Sequence, residues 1–257
     1  MLISGVGSGL GKFFLESIPC SIGIFRDADI DKLAEVDFPY RAIIHCAANA
    51  RVNPDTDLYQ FINDNVLLTE KLTRVPHQKF IYMSSVDVYP AIENKIFYES
   101  DFLKYSQAKN SYAKSKLLSE SIICNLSESV FILRLSALLG IYMRRNNLIR
   151  LLFEVSPSLS LTESSQFNLI SYDEILQFIN LILNDRVSED IYNLASSQSI
   201  DLGSVAKIFC KEVEFGEFEY KAPLVSNLKA SQLVPSFKES SESKIAAFLQ
   251  EKISHFA

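Results

Sequence analysis

The chain has 257 residues, 48% of them hydrophobic, and 25 Lys and Arg against 31 Asp and Glu give a net charge of −6. That is apolar material for one large core, with or without a small appendage, and it excludes disorder. A nucleic-acid surface is excluded as well, because phosphate binding needs clustered excess Lys and Arg, and Arg144-Arg145 is the only adjacent basic pair.

Cys20, Cys46, Cys124 and Cys210 lie far apart, without the paired spacing of zinc or redox sites. They are expected to be buried free thiols, and no metal centre is expected. Arg134 and Arg150 interrupt the best apolar stretches, so no membrane span is expected. The N-terminus enters a strand without a basic leader, which predicts a soluble cytoplasmic protein.

Leu2-Ile3-Ser4 reads as a strand leading into the glycine turn Ser4-Gly5-Val6-Gly7-Ser8-Gly9-Leu10-Gly11. A short helix over 12–17 is closed by Pro19, and a second strand spans 21–25 with Arg26 at its end. The apolar run 42–48 is a buried strand that ends in small residues, and a helix follows over 58–74. The next strand, 79–83, ends at Ser84 and Ser85, and a long helix is predicted over 110–125, with a strand at 130–133 after it. Beyond Gly140 the pattern is less regular, with helices predicted at 146–154, 173–184 and 242–253. Short apolar runs alternating with helical patterns predict an α/β fold, a doubly wound parallel sheet with crossover helices. Such sheets bind ligands beyond the carboxyl ends of their strands, where the candidate residues fall.

In the glycine turn, Gly5 permits a positive backbone angle, Gly9 lets the backbone approach a pyrophosphate, and Gly11 lets helix and strand pack closely. Ser8 and Leu10 would join them around the ligand at the helix N-terminus. A nucleotide triphosphate loop is excluded, because Phe13 stands where Ser or Thr must hold magnesium. Tyr112 and Lys116 are four apart and therefore neighbours on one helical face. An adjacent ammonium stabilises a phenolate, which makes the pair an acid/base device. Tyr105 and Lys109 share this spacing, but they lie in a polar stretch with Ser106 and Gln107. Ser85, at the end of its strand, either hydrogen-bonds a substrate oxygen or caps its own strand end.

These segments in this order resemble the short-chain dehydrogenase/reductase superfamily, and in detail its extended branch, the NAD-dependent epimerase/dehydratase family. His45-Cys46-Ala47-Ala48 is similar to the family's His-x-Ala-Ala, and Asn65-Val66 to its Asn-Val. Ser84-Ser85-Val86-Asp87-Val88-Tyr89 resembles its Ser-Ser-x-x-Val-Tyr, and Tyr112 to Lys116 its Tyr-x-x-Ser-Lys helix. Arg134 with Gly140, Tyr192-Asn193-Leu194 and the stretch 226–233 resemble later landmarks. The resemblance implies a Rossmann domain over 1–140 and a small substrate domain over 141–257, some of whose strands could return to the sheet. It implies a homodimer packed through the helices that begin near Asn65 and Tyr112. In this reading Tyr112 is the acid/base, Lys116 holds the nicotinamide ribose and Ser85 polarises the substrate oxygen. Ala47, Ala48 and Asn65 join the cofactor site, and Asp87, Ser136 and Gln166 the substrate site.

Four departures qualify the resemblance. The Gly5, Gly9, Gly11 spacing is that of the classical branch. Only about sixteen residues separate Arg26 from the strand at Ala42, so the family's third strand is expected to be missing, as in its keto-sugar reductases. Gln166 stands where many members keep an arginine for the substrate diphosphate, and Pro90 replaces a glycine. Asp87 occupies the place of a dehydratase glutamate or an epimerase-reductase cysteine, where a carboxylate could abstract a proton next to a carbonyl; otherwise it is a strand-end aspartate bonded to backbone amides. Arg26-Asp27 sets an NADP-selecting residue beside an NAD-selecting one, and NADP is favoured; alternatively Arg26 pairs with Asp27, Asp29 or Asp31 on the surface. The expected activity is that of an NAD(P)-dependent oxidoreductase or epimerase on a sugar carbon, the sugar being nucleotide-activated. The alternatives are a silent NAD(P)-binding sensor or scaffold, and a classical reductase of a small non-sugar carbonyl compound.

Overall fold

The computed structural model describes residues 1–26, 28–50, 58–143, 147–154 and 156–252. The first half runs β1 (Leu2–Ser4), α1 (Gly9–Ser17), β2 (Ile22–Ile24), α2 (Ile30–Ala34), β3 (Ile43–His45), α3 (Leu58–Phe61), α4 (Leu68–Thr73), β4 (Phe80–Ser85), β5 (Ile96–Phe97), α5 (Ser111–Leu126) and β6 (Val130–Leu135). The second half runs β7 (Ala137–Leu139), α6 (Leu148–Leu151), β8 (Ser158–Leu161), β9 (Gln166–Phe167), β10 (Leu169–Ser171), α7 (Tyr172–Leu183), β11 (Asp190–Leu194), β12 (Ile200–Asp201), α8 (Leu202–Ile208), β13 (Glu214–Phe218), β14 (Leu224–Val225), α9 (Leu228–Leu233) and α10 (Ser241–Lys252).

Six parallel strands form the central sheet in the order β11-β6-β4-β3-β1-β2. Among the described residues only the five-residue α2 lies between β2 and β3, and β2 forms the edge of the sheet, so no third strand stands beyond it. Alternate residues explain why the strands read as unbroken apolar runs: Ile3, Ile44, Ile81, Met83, Phe131 and Leu133 pack toward α1 and α7, while Leu2, Ile43, Phe80, Tyr82 and Ile132 pack toward α4 and α5. Both faces are covered, as a parallel sheet requires. A further apolar cluster joins Leu139, Leu159, Leu169, Leu202, Val205 and Ile245 in the second half, while α7, β11 and Phe237 pack back onto the sheet.

Several boundaries differ from the sequence reading. The first helix begins at Gly9 rather than at residue 12. The helix expected over 58–74 is interrupted by a π-helical segment, Ile62–Leu67, centred on Asn65. There the Asn65 amide is drawn to Asn49 and Ser115 while its carbonyl accepts the Thr69 hydroxyl at 2.6 Å. Tyr105 sits in a separate 3-10 turn (Tyr105–Gln107), so it shares no helix with Lys109. The helix predicted over 146–154 shrinks to α6; Asn146 itself, like Arg144, Arg145, Asp27 and Ile253, lies outside the described residues. The cysteines are free, but the expectation of burial fails: Cys20, Cys124 and Cys210 are exposed and Cys46 is half-buried. Cys20 and Cys210 occupy left-handed turns just past helix ends, which face solvent. Among the described residues no helix is long and apolar enough to cross a membrane.

His45, fully buried on β3, bonds Ser4 Oγ through Nδ1 (2.6 Å) and Thr69 Oγ through Nε2 (2.9 Å). Burial and the nearby Lys116 charge depress its pKa to about 3, so the ring stays neutral at pH 7. A depressed pKa contributes stability above the unfolded value of about 6.5, and that contribution is lost as pH falls toward 3. Between pH 6.5 and 4.5 the wild type is expected to lose about 2–3 kcal/mol from this group. Urea unfolding of His45→Gln across that range should show a shallower fall; parallel curves would remove His45 as the source.

Candidate active site

The carboxyl edge of the sheet gathers the glycine turn, the loop after β3, the end of β4 and the start of α5. Gly5 has φ +74, and a Cβ there would lie 2.7 Å from the Ala47 nitrogen and 2.8 Å from its Cα. The turn is therefore pressed directly onto the Ala47-Ala48 loop. A Cβ on Gly11 would stand 2.5 Å from the Gly5 carbonyl oxygen, so only glycine lets α1 begin this close to β1. Ser4 Oγ ties the two loops by accepting the amides of Cys46 and Ala47, both at 3.2 Å. Gly7 faces open space and Ser8 is exposed, which leaves a bare backbone ledge at the positive end of α1. Gly9, at φ +63, has its own N–H taken by the Tyr142 carbonyl at 2.9 Å, so it serves through its conformation and lack of side chain. Arg26 is exposed two residues beyond β2. Asp29, one suggested surface partner, is occupied by the α2 N-cap and by Lys32 at 3.4 Å.

Asn110 caps α5 by accepting the Ala113 amide at 2.8 Å, which starts the helix one residue before Tyr112. Lys116, 2% exposed, donates to the Met83 carbonyl at 2.6 Å. Its Nζ stands 4.6 Å from the Tyr82 ring centre and 5.8 Å from that of Tyr112. The ammonium is thus held between the end of β4 and the half-buried Tyr112, and its field reaches His45 and Cys46. Ser85 Oγ accepts the Asp87 amide at 3.1 Å, capping the 3-10 turn Val86–Val88 and keeping its own hydrogen to donate. Ser136 follows the β6 residue paired with Ser85, and its buried hydroxyl has no partner among the described residues. Gln166 is half-buried on β9, where its backbone bonds Tyr220 and Ala222. Asn65 stands behind the loop after β3: its amide accepts from the Asn49 N–H at 2.6 Å and donates to Ser115 at 2.9 Å. It therefore positions that loop against α5.

Three groups of contacts escaped the sequence reading. Asp87 pairs not with a row of backbone amides but with Lys109 and with the Tyr220 hydroxyl at 2.9 Å. Glu120 on α5 makes a buried bidentate contact with Arg134 Nε (3.2 Å) and Nη2 (2.8 Å), and it also accepts the Ser84 hydroxyl. Arg134 goes on to Tyr89 at 2.8 Å, and Tyr89 to Asn193 at 2.8 Å. His45 forms the third group with Ser4 and Thr69. The buried charges Glu120 and Arg134 were visible in the sequence as polar residues inside apolar patterns, whereas nothing in sequence linked Tyr220 to Asp87.

The sequence matches the NAD dependent epimerase/dehydratase family over residues 17–194, and the chain belongs to that family. The match begins just past the glycine turn, whose spacing is the departure noted above. No curated protein sequence matches the chain. Among solved structures, MoeE5 in complex with UDP-glucose and NAD superposes with a TM-score of 0.82 at 14% identity, covering 100% of this chain and 99% of that one. DesIV, a dTDP-glucose 4,6-dehydratase from Streptomyces venezuelae with NAD bound, gives 0.79 at 16% identity over 98% and 97% of the two chains. A dTDP-4-dehydrorhamnose reductase from Bacillus anthracis in complex with NADP gives 0.79 at 18% identity over 98% of each. The common fold is the Rossmann-type parallel sheet.

Gly11→Ala forces backbone apart and is expected to cost about 1–3 kcal/mol or more. Gly7→Ala, which meets open space, should stay within about 0.5 kcal/mol of wild type. Urea denaturation of the two variants distinguishes them, and equal losses would contradict the packing described.

Proposed function

We propose that the protein is an NAD(P)-dependent oxidoreductase or epimerase acting on a sugar carbon of a nucleotide-activated sugar. The observation that carries this reading is Lys116 anchored by the Met83 carbonyl beside Tyr112, with Ser85 at the end of the same strand. Family membership and likeness to structures holding UDP-glucose or NADP support it. The bare ledge of the glycine turn, the small residues Ala47 and Ala48 and the unpartnered Ser136 hydroxyl fit a dinucleotide and a sugar along the sheet edge.

A nicotinamide bound there would supply hydride chemistry at the sugar carbon. Tyr112 takes the proton of the sugar hydroxyl when the carbon is oxidised, or returns it when a carbonyl is reduced. Lys116 favours the phenolate by charge and holds the nicotinamide ribose, and its bond to Met83 fixes where that charge sits. Ser85 donates its free hydrogen to the same substrate oxygen, and Ser136 and Gln166 line the sugar side. Arg26, exposed at the end of β2, accommodates the extra phosphate of NADP. The division near residue 140 and a homodimer through the helices around Asn65 and Tyr112 belong to the same reading; Tyr59, Leu67 and Leu126 are exposed on those helices.

Thermal-shift titration with NAD, NADH, NADP and NADPH, with and without UDP-glucose and dTDP-glucose, tests the binding. A ligand at a hundred times its dissociation constant adds about 2.7 kcal/mol of stability. NADP or NADPH should give the larger shift, and Arg26→Ala should erase the difference; no shift with any dinucleotide would sink the enzyme reading. In a matched activity assay Tyr112→Phe should lose about 10²–10⁴-fold in kcat while still binding cofactor, whereas unchanged turnover would remove Tyr112 from the chemistry.

A further inference from the structure

Tyr142, in the turn after β7, belongs to the second half of the chain but reaches across to the start of α1. Its carbonyl accepts the Gly9 N–H at 2.9 Å, its hydroxyl donates to Glu16, and the Lys12 ammonium stands 4.5 Å from its ring centre. Lys12 and Glu16 are themselves paired at 3.8 Å, so the ring lies along one turn of α1. The Glu16 hydrogen bond pushes the Tyr142 pKa up, and the phenol stays the donor. Both ends of the turn are anchored in other elements. A Cβ on Gly140 would lie 2.2 Å from a Tyr172 ring carbon, so that residue is pressed against the start of α7. Met143, 2% exposed, is sunk in the apolar cluster of the second half; its N–H donates to the Gly140 carbonyl at 3.2 Å and its carbonyl accepts from Arg150 at 2.9 Å.

The glycine turn needs such a strap. Four of the seven residues from Gly5 to Gly11 are glycine, which loses more conformational freedom on ordering than any other residue. An unbraced turn would have to be ordered by its ligand, at the expense of affinity. Ser4 ties the beginning of the turn to the loop after β3, and Tyr142 ties its end to the second half. Four amides, those of Ser8 to Gly11, precede the first intrahelical bond of α1. Tyr142 takes the Gly9 amide, so an anion at the positive end of α1 meets its neighbours, Leu10 and Gly11, on a backbone already fixed in shape.

We infer that Tyr142 is a positioning residue for the dinucleotide pyrophosphate: it holds the glycine turn in its binding shape through the Gly9 bond, and its ring and hydroxyl, set on Lys12 and Glu16, keep that carbonyl in place. The cofactor site is thus completed by the second half of the chain. This rests on the dinucleotide reading above, and not on which sugar is bound.

The test is isothermal titration with NADP or NAD, whichever binds the wild type more tightly, and with the matching fragment that lacks the pyrophosphate, adenosine 2′-phosphate or adenosine. Tyr142→Ala should weaken the dinucleotide about 5- to 10-fold and leave the fragment within about twofold of wild type. Tyr142→Phe and Glu16→Ala should each weaken the dinucleotide about 2- to 3-fold, and the double variant no further, because both remove one bond. Glu16→Gln, which keeps an acceptor oxygen, should restore wild-type affinity. Unchanged or tighter dinucleotide binding in Tyr142→Ala would overturn this assignment alone. So would an equal loss for dinucleotide and fragment, which marks damage to the whole site. A wild type that binds neither dinucleotide would overturn the cofactor reading and the assignment with it.

Discussion

The arrangement depends on one buried ion pair, Arg134 with Glu120, each under a tenth exposed. Burial works against the Arg134 charge, but the Glu120 charge and hydrogen bonds, with those of Tyr89, outweigh it and hold the guanidinium above its usual pKa. The pair fixes α5, which carries Tyr112 and Lys116, against β6. Through Ser84 it also fixes the end of β4, and through Tyr89 and Asn193 the neighbouring β11. A buried charge left alone costs about 3–5 kcal/mol, so neither residue can be lost singly without loosening the others. Site precision follows from this constraint: Tyr112 and Ser85 are on different elements, and Glu120 holds both elements at once.

The second constraint is close backbone approach around the glycine turn. Gly5 and Gly11 are bare because Ala47 and the Gly5 carbonyl occupy the space a side chain would need. Ser4, His45 and Thr69 lock the same region with a chain of hydrogen bonds, while burial and the Lys116 charge keep the imidazole neutral. The glycine turn and α5 are thus tied through Thr69, Asn65 and Ser115, which explains why the helix after β3 gives up regular α geometry at Ile62–Leu67. Local helical regularity is traded for the position of a loop.

What could be read from residues followed from short-range rules. Tyr112 and Lys116 were legible because a spacing of four is a contact on any helix, and the glycine turn because few sequences need three such glycines between a strand and a helix. The missing third strand was legible as a chain length too short to hold it. The cysteines were misread because apolar neighbours in sequence do not tell a turn just past a helix from a core position. The paired strands β7 to β10 and β12 to β14 were missed because most have only two or three residues, too few for a period to show.

The sequence by itself determined the class of fold, the family, and the placing of Tyr112 and Lys116 on one helix, because periodicity and close spacing carry that information along a single element. Tertiary structure alone decided the environment of Asp87, whose partner Tyr220 is 133 residues away, the pairing of Arg134 with Glu120, and the commitment of Asn65 to a loop rather than to open space. These contacts join side chains whose distance is set by how whole elements pack, and no local pattern in the chain encodes that distance.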